Sequence, residues 1–171
     1  ISCNAIISSL EKGGLWQRAT EQLESRFRNI DATVITYGAL ISSCATAGRW
    51  QEALRVLRDL PKTRLYGNGI IYNAAISACE KGNDWVQALW LFHEMTMAAL
   101  QPDLVSYNAA ISAFSSNSCW ANALYMVTEM QHAQVRKNVI TYDAVLGALE
   151  NGGLGREAVA LLHELEMFLS S

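Results

Sequence analysis

Carboxamide and carboxylate side chains recur at a regular interval in this sequence, each beside an aromatic landmark. Asn73, Asn108 and Asp143 each follow a Tyr and lie 35 residues apart. Asp103 and Asn138 share that interval. An amide offers two donors and an acceptor, whereas a carboxylate only accepts, so side chains of these types could recognise the hydrogen-bonding edge of a ligand. An Asn early in a helix can instead satisfy local backbone groups, and both interpretations stay open at this point.

Side chains that could support catalysis or hold a metal form no recognisable motif. The four Cys include no CxxC pair, which argues against a zinc site and a disulfide framework. Cys44 and Cys79 share a slot that is otherwise Leu or Phe, so we expect them in the core. His93 and His163 each precede a Glu, as is typical of a solvated helix face. With no HxE motif or Asp cluster, we expect no enzyme activity, no cofactor, no metal and no small-molecule substrate.

These residues belong to a repeat that runs through the 171-residue chain. Three kinds of landmark recur every 35 residues and stay in phase, which makes coincidence implausible. They are Tyr37, Tyr72, Tyr107 and Tyr142; Ala53, Ala88, Ala123 and Ala158; and Trp50, Trp85 and Trp120. We predict one array over 1–171, with units of about 1–33, 34–68, 69–103, 104–138 and 139–171.

Each unit is predicted to form two helices. In the third unit, the first helix runs from about Ile70 to Lys81 and stops at Gly82, a residue type typical of the C′ position. The second helix starts after Asp84, a favoured N-cap residue, and extends to about Met97. Its apolar residues form one helical stripe, made of Trp85, Ala88, Leu89, Phe92 and Met95.

Hydroxyl side chains mark the starts of first helices, just before apolar runs, at Thr36, Ser106 and Thr141. Because Ser and Thr are common N-caps, we predict that these residues cap those helices. A single hairpin leaves its apolar stripe uncovered, so neighbouring units must stack. The sequence therefore predicts an all-α solenoid without strands, with the first helices along its concave side.

Composition limits the partners of such an array. The formal net charge of −3 argues against binding nucleic acid by bulk charge, although a local basic track is compatible with it. No apolar stretch approaches the ~18 residues of a membrane span, so we expect no membrane partner. The sequence opens at Ile1 without a targeting leader, so we expect an excerpt of a longer protein.

The repeat resembles the pentatricopeptide repeat family, in its P-type form of 35 residues. The resemblance is carried by TYGALISSC, IYNAAISAC, SYNAAISAF and TYDAVLGAL; the first two are followed by Gly, Trp and an Ala-Leu pair, and the third by Trp and an Ala-Leu pair. It covers essentially the whole chain. The tetratricopeptide repeat, of about 34 residues, carries its Trp in the first helix, whereas here Trp recurs in the second. The resemblance implies a right-handed α-solenoid of about five units.

The resemblance also implies binding of single-stranded RNA, with about one base per unit read by two or three side chains. In the family, the principal reading residue follows the Tyr position and its partner ends the unit. The principal readers here are Asn4, Gly38, Asn73, Asn108 and Asp143, and the partners are Thr33, Asn68, Asp103 and Asn138. Gly38 has no side chain and Asp143 is a carboxylate facing a phosphate-rich ligand, so both are expected to read poorly.

Two further slots complete the implied site. In the family, an aliphatic residue two positions before the Tyr sandwiches each base, and here this slot holds Ile1, Ile35, Ile70, Val105 and Ile140. Flat apolar contact suits every base. A Lys late in the first helix faces the phosphates in the family; Lys12 and Lys81 match it, whereas Thr46, Ser116 and Asn151 do not. Fewer cations release fewer counterions and so weaken binding.

The implied function is that of a sequence-selective adaptor for single-stranded RNA, monomeric, acting in RNA processing, stability or translation in mitochondria or chloroplasts. In the family, an Asn–Asp pair favours uracil and an Asn–Asn pair favours cytosine. The alternative is a helical-repeat scaffold that binds a protein or peptide in the same groove. Aliphatic residues in phase with Tyr and Asn favour RNA, because a peptide needs no flat sandwich at every unit.

Overall fold

The computed structural model describes residues 34–60, 67–156, 158–160 and 163. The helices with defined bounds are α1 (Val34–Thr46), α2 (Trp50–Asp59), α3 (Gly69–Lys81), α4 (Trp85–Met97), α5 (Leu104–Ser115), α6 (Trp120–His132) and α7 (Val139–Asn151). Residues 155–156 and 158–160 are also helical, and no strand occurs in the described part of the chain. The predicted all-α fold is confirmed. Within the same residues, none of the helices is long and apolar enough to cross a membrane.

The helices form two layers. The first helices of successive units, α1, α3, α5 and α7, pack directly against one another in a row. Each second helix packs against the first helix of its own unit and that of the next. Among the described helices, the second helices make no comparable contacts with one another, so units approach most closely on the first-helix side. The array therefore curves with its first helices inside.

The turn between the two helices of a unit explains the recurring Gly and Trp. Gly82 ends α3 with a right-handed backbone (φ −81°), and the left-handed residue is the next one, Asn83 (φ 61°). The prediction of Gly82 as the C′ residue is therefore wrong. A Cβ atom at Gly82 would overlap the indole of Trp50, so packing of the preceding unit requires glycine here. Gly152 repeats the contact, with its Cβ position 2.5 Å from Cδ1 of Trp120.

The predicted second-helix stripe lies in the core. In α4, Ala88, Phe92 and Met95 are buried, and Trp85 is partly buried against them. The Trp85 ring stands edge-on to Phe114, with centroids 6.1 Å apart, which joins the third unit to the fourth. Such contacts between neighbours are what an isolated hairpin lacks, and they hold the array together.

Other recurring residues also serve the core. Cys44 and Cys79 are fully buried, and burial raises the pKa of their thiols to about 11 and about 12, so both stay protonated. Tyr72 is buried, and its hydroxyl donates to Glu94; burial raises the pKa of the phenol, and the Glu94 carboxylate raises it further. His93 is exposed, as predicted for a solvated helix face. The neighbouring Glu94 is not only solvated, because it also accepts the hydrogen bond from Tyr72.

Candidate nucleic-acid interface

The last residue of one unit caps the first helix of the next. Asp103 accepts a hydrogen bond from the Ser106 backbone N–H (3.0 Å), and its own N–H donates to the Ser106 hydroxyl (3.1 Å), forming a capping box. Asn138 and Thr141 form the same box at α7. The prediction that Ser106, Thr141 and Thr36 are N-caps is wrong. Each is the third residue of its helix. The N-caps of α5 and α7 are Asp103 and Asn138.

In the third unit, the capping hydroxyl reaches back to the predicted reading residue. Ser106 Oγ donates to Oδ1 of Asn73 at 2.6 Å, and Nδ2 of Asn73 donates to Oδ1 of Asp103 at 3.0 Å. Burial acts to raise the pKa of the Asp103 carboxyl, but hydrogen bonds from Ser106, Asn73 and the Val105 N–H outweigh it and hold that pKa below its usual value. Asp103 is thus an ionised acceptor at neutral pH.

The fourth unit contains the same network with an amide in place of the carboxylate. Thr141 Oγ1 donates to Oδ1 of Asn108 at 2.6 Å, and Nδ2 of Asn108 donates to Oδ1 of Asn138 at 3.2 Å. The Asn138 oxygen also accepts from the Thr141 N–H at 3.0 Å, so it is the oxygen that faces Asn108. This fixes the orientation of both amides, because a nitrogen in that place could not accept.

The two networks differ in the atoms that remain for a ligand. Asn73 and Asn108 each keep a second N–H on Nδ2. Asp103 adds its other carboxylate oxygen, which is an acceptor, whereas Asn138 adds an NH₂ group, which is a donor. The third unit therefore combines a donor with an acceptor, and the fourth unit combines two donors.

An exposed aliphatic side chain accompanies each reading position. Each is the second residue of its first helix, three residues before the reading position, so the two share a helix face. These side chains, with their exposed fractions, are Ile35 (69%), Ile70 (73%), Val105 (56%) and Ile140 (62%). Large apolar residues repeated along the inner helix row form a surface that a ligand could cover.

The second unit departs from this arrangement. Gly38 supplies no amide, and the position that carries a hydroxyl in later units is Ile71, whose Cγ1 lies 3.7 Å from the place of a Gly38 Cβ. Asn68 still caps α3 and accepts from the Ile71 N–H at 3.1 Å. A cavity of about 310 Å³, lined in part by Ile35 and Ile70, opens beside these residues. This unit offers apolar contact and one cap residue, but no joined pair.

The remaining predicted residues stand apart from these networks. Asp143 is exposed on α7, and Lys81 is exposed at the end of α3. The predicted residues that lie outside the described part are Ile1, Asn4, Lys12 and Thr33. In the part of the chain that the structure describes, no group of three or more His, Cys, Asp or Glu side chains could hold a metal ion.

Sequence analysis associated the two hydroxyls with helix capping and missed their bonds to the reading residues. A local signal was present, because Asp103 precedes Ser106 by three residues and Asn138 precedes Thr141 by three. That spacing is typical of a capping box and identifies the N-caps. The bond to an Asn 33 residues earlier has no local signal.

Three family models match the chain. They are the PPR repeat family over residues 67–116, the pentatricopeptide repeat domain over residues 24–82, and the PPR repeat over residues 105–135. Together they span residues 24–135, well over half of the chain. No curated protein matches it.

Solved structures share the fold at low identity. The PPR domain of Arabidopsis thaliana protein-only RNase P 1, in complex with tRNA, is 16% identical, with a TM-score of 0.81 over 98% of this chain and 91% of that one. Maize PPR10, in complex with an 18-nt psaJ RNA element, is 24% identical, with a TM-score of 0.80 over 98% of this chain. The chain spans only 25% of that PPR10 chain. The solenoid fold and the three family models agree: the chain belongs to the pentatricopeptide repeat family.

Proposed function

We propose that the chain is a sequence-selective adaptor that binds single-stranded RNA along its row of first helices. One observation carries the proposal: an amide–carboxylate pair in the third unit and an amide–amide pair in the fourth, each joined by a hydrogen bond, lie beside exposed aliphatic side chains. Two proteins that share its fold, PPR10 and RNase P 1, were solved with an RNA element and with tRNA. Reading about one base per helical repeat is a known mode of RNA recognition.

The remaining atoms of each pair complement a particular pyrimidine. Uracil presents an N3–H donor beside carbonyl acceptors, which suits the Asn73 donor and the Asp103 acceptor. Cytosine presents two adjacent acceptors, O2 and N3, which suit the donors of Asn108 and Asn138. Since protein and RNA run parallel in the family, the third and fourth units are expected to read 5′-UC-3′.

The aliphatic residues supply affinity without selectivity. A base lying between the exposed side chains of successive units, such as Ile70 and Val105, gains apolar contact on its π-faces whatever its identity. The second and fifth units, with Gly38 and Asp143 at the reading position, are expected to contribute this contact and little discrimination.

The wider role rests on family membership. We propose that the chain is a monomer that shields, remodels or marks transcripts in a mitochondrion or chloroplast, as an adaptor and not as a catalyst. Its few matched Lys and its net charge of −3 leave base contacts, rather than phosphate contacts, to provide most of the affinity.

Fluorescence anisotropy with labelled single-stranded RNA tests the proposal at low salt, where binding is strongest. RNA with UC at its centre should bind more tightly than the same RNA with GA there, by ~1–3 kcal/mol per base on the scale of bidentate contacts to DNA bases. Replacing Asn73 and Asn108 by Ala should abolish the difference, whereas Gln131→Ala, on the exposed face of α6, should preserve it. Equal affinity for both RNAs, or capture of peptides without RNA binding, would favour the scaffold alternative.

A further inference from the structure

In the third and fourth units, the amide oxygen of the reading Asn accepts a hydrogen bond from a hydroxyl of the next unit. Ser106 and Thr141 are fully buried, and their oxygens lie 2.6 Å from the Oδ1 atoms of Asn73 and Asn108. These are shorter than the bonds that join the two Asn residues to Asp103 and Asn138, at 3.0 and 3.2 Å. The hydroxyl is therefore the closest polar partner of the amide.

The hydroxyl proton holds the oxygen end of the amide, while the oxygen of the N-cap residue accepts from its nitrogen end. Ser106 Oγ accepts from the Asp103 N–H, and its proton has three possible acceptors: Asn73 Oδ1 at 2.6 Å, Asp103 Oδ1 at 3.0 Å and Met95 Sδ at 3.7 Å. The shortest contact takes the proton, because a hydroxyl donates only once. With its oxygen held there, the amide of Asn73 can only direct its nitrogen towards Asp103. Turning the amide over would break both bonds.

The second unit has neither the reading amide nor the hydroxyl. Where the reading position is Gly38, the residue in the hydroxyl slot of the following helix is Ile71. Ile71 packs against the place that an amide would occupy. Among the described pairs, the hydroxyl occurs where there is an amide to hold and is replaced by an apolar side chain where there is none.

We propose that Ser106 and Thr141 are positioning residues for base reading. Each hydroxyl fixes the Asn amide of the preceding unit with its N–H groups available to the base and to the paired residue. Reading one base then takes three side chains, of which one belongs to the next unit. The inference rests on the proposed function and adds to it the residue that holds the oxygen end of the amide in place.

The test uses the full chain with Thr141→Val, which removes the hydroxyl at nearly constant volume, and Thr141→Ser, which retains it. Affinities are measured for RNAs that vary only the base facing the third or the fourth unit. Thr141→Val should reduce discrimination at the fourth base about fivefold, the loss expected for one hydrogen bond, and leave the third base unchanged. Thr141→Ser should preserve discrimination at both. Unchanged discrimination at the fourth base in Thr141→Val, or equal loss at both bases, would overturn the inference.

A second measurement needs no RNA. The NMR order parameter of the Asn108 side-chain amide should fall in Thr141→Val and keep its value in Thr141→Ser. An order parameter that is the same in all three proteins overturns the positioning role. If the unaltered chain fails to discriminate between RNAs, the proposed function fails, and the NMR result still decides whether the hydroxyl holds the amide.

Discussion

Asp103 and Asn138 each combine two tasks in one short side chain. The Oδ1 atom of each caps the following helix and accepts from the reading Asn. The other terminal atom, an oxygen in Asp103 and a nitrogen in Asn138, is left to select the base. Because Asp and Asn are nearly isosteric and both are good N-caps, base preference can change at this position with little change in stability.

The second unit allows a gain of specificity to be tested. Gly38→Asn together with Ile71→Thr should create an Asn–Asn pair with Asn68, held by a hydroxyl, and so a preference for cytosine. A Cβ at residue 38 would lie 3.7 Å from Cγ1 of Ile71, an ordinary van der Waals contact, and Ile71→Thr shortens the side chain that faces it. Selection from RNA with that base randomised measures the effect.

The two single substitutions are the controls. Gly38→Asn alone should give a weaker preference, because nothing holds its amide oxygen, and Ile71→Thr alone should give none. Since Ile71 is buried, thermal unfolding must show that each variant folds. A double variant that folds and still accepts all four bases equally would contradict the proposed reading geometry.

At the scale of single residues, the sequence predicts which positions belong to the site better than it predicts their hydrogen bonds. The family resemblance implies the pairs Asn73 with Asp103 and Asn108 with Asn138, and the structure joins each pair directly. The hydroxyl partners were assigned to capping because Ser and Thr suit several positions in the first turn of a helix. Which of these is occupied depends on the residue that precedes the helix and on the neighbouring unit.

The individual helices follow closely from periodicity and caps. The first helix of the third unit begins one residue before the predicted Ile70 and ends at Lys81 as predicted, and the second ends at the predicted Met97. The prediction for Gly82 is wrong because glycine is typical both of a left-handed helix cap and of a close contact between helices. The right-handed backbone of Gly82 and the packing of Trp50 on it distinguish them.

Gly82→Ala should destabilise the array through this contact. The added methyl group overlaps the Trp50 ring, so the indole or the turn must shift, at a cost of ~1–3 kcal/mol. Urea unfolding followed by circular dichroism measures the change. Gly155→Ala is the matched control: in the part of the chain that the structure describes, nothing lies within 4 Å of its Cβ position, so little change in stability is expected. Equal effects of the two substitutions would show that the Trp50 contact is not what requires glycine.

At the scale of the whole molecule, the net charge of −3 and the few Lys residues on the first helices distinguish this array from one that binds RNA mainly through phosphates. Ser116 occupies the slot of Lys81 in the next unit, and both residues are exposed at the ends of first helices. Ser116→Lys should therefore tighten binding and steepen the slope of log K against log salt by about 0.7, the value for one added contact to a single strand. Gln131→Lys, on α6, adds the same charge away from the inner row and should leave the slope unchanged. Equal slopes for both variants would place the RNA elsewhere.

The order of the bases along the whole array tests the central claim most directly. Asp103→Asn combined with Asn138→Asp exchanges the selecting atoms of two units and conserves net charge, caps and the bonds to Asn73 and Asn108. The unaltered chain should select 5′-UC-3′ from RNA with two randomised central bases, and the exchanged variant should select 5′-CU-3′. Selection of the same two bases before and after the exchange would contradict the assignment of these residues as base readers.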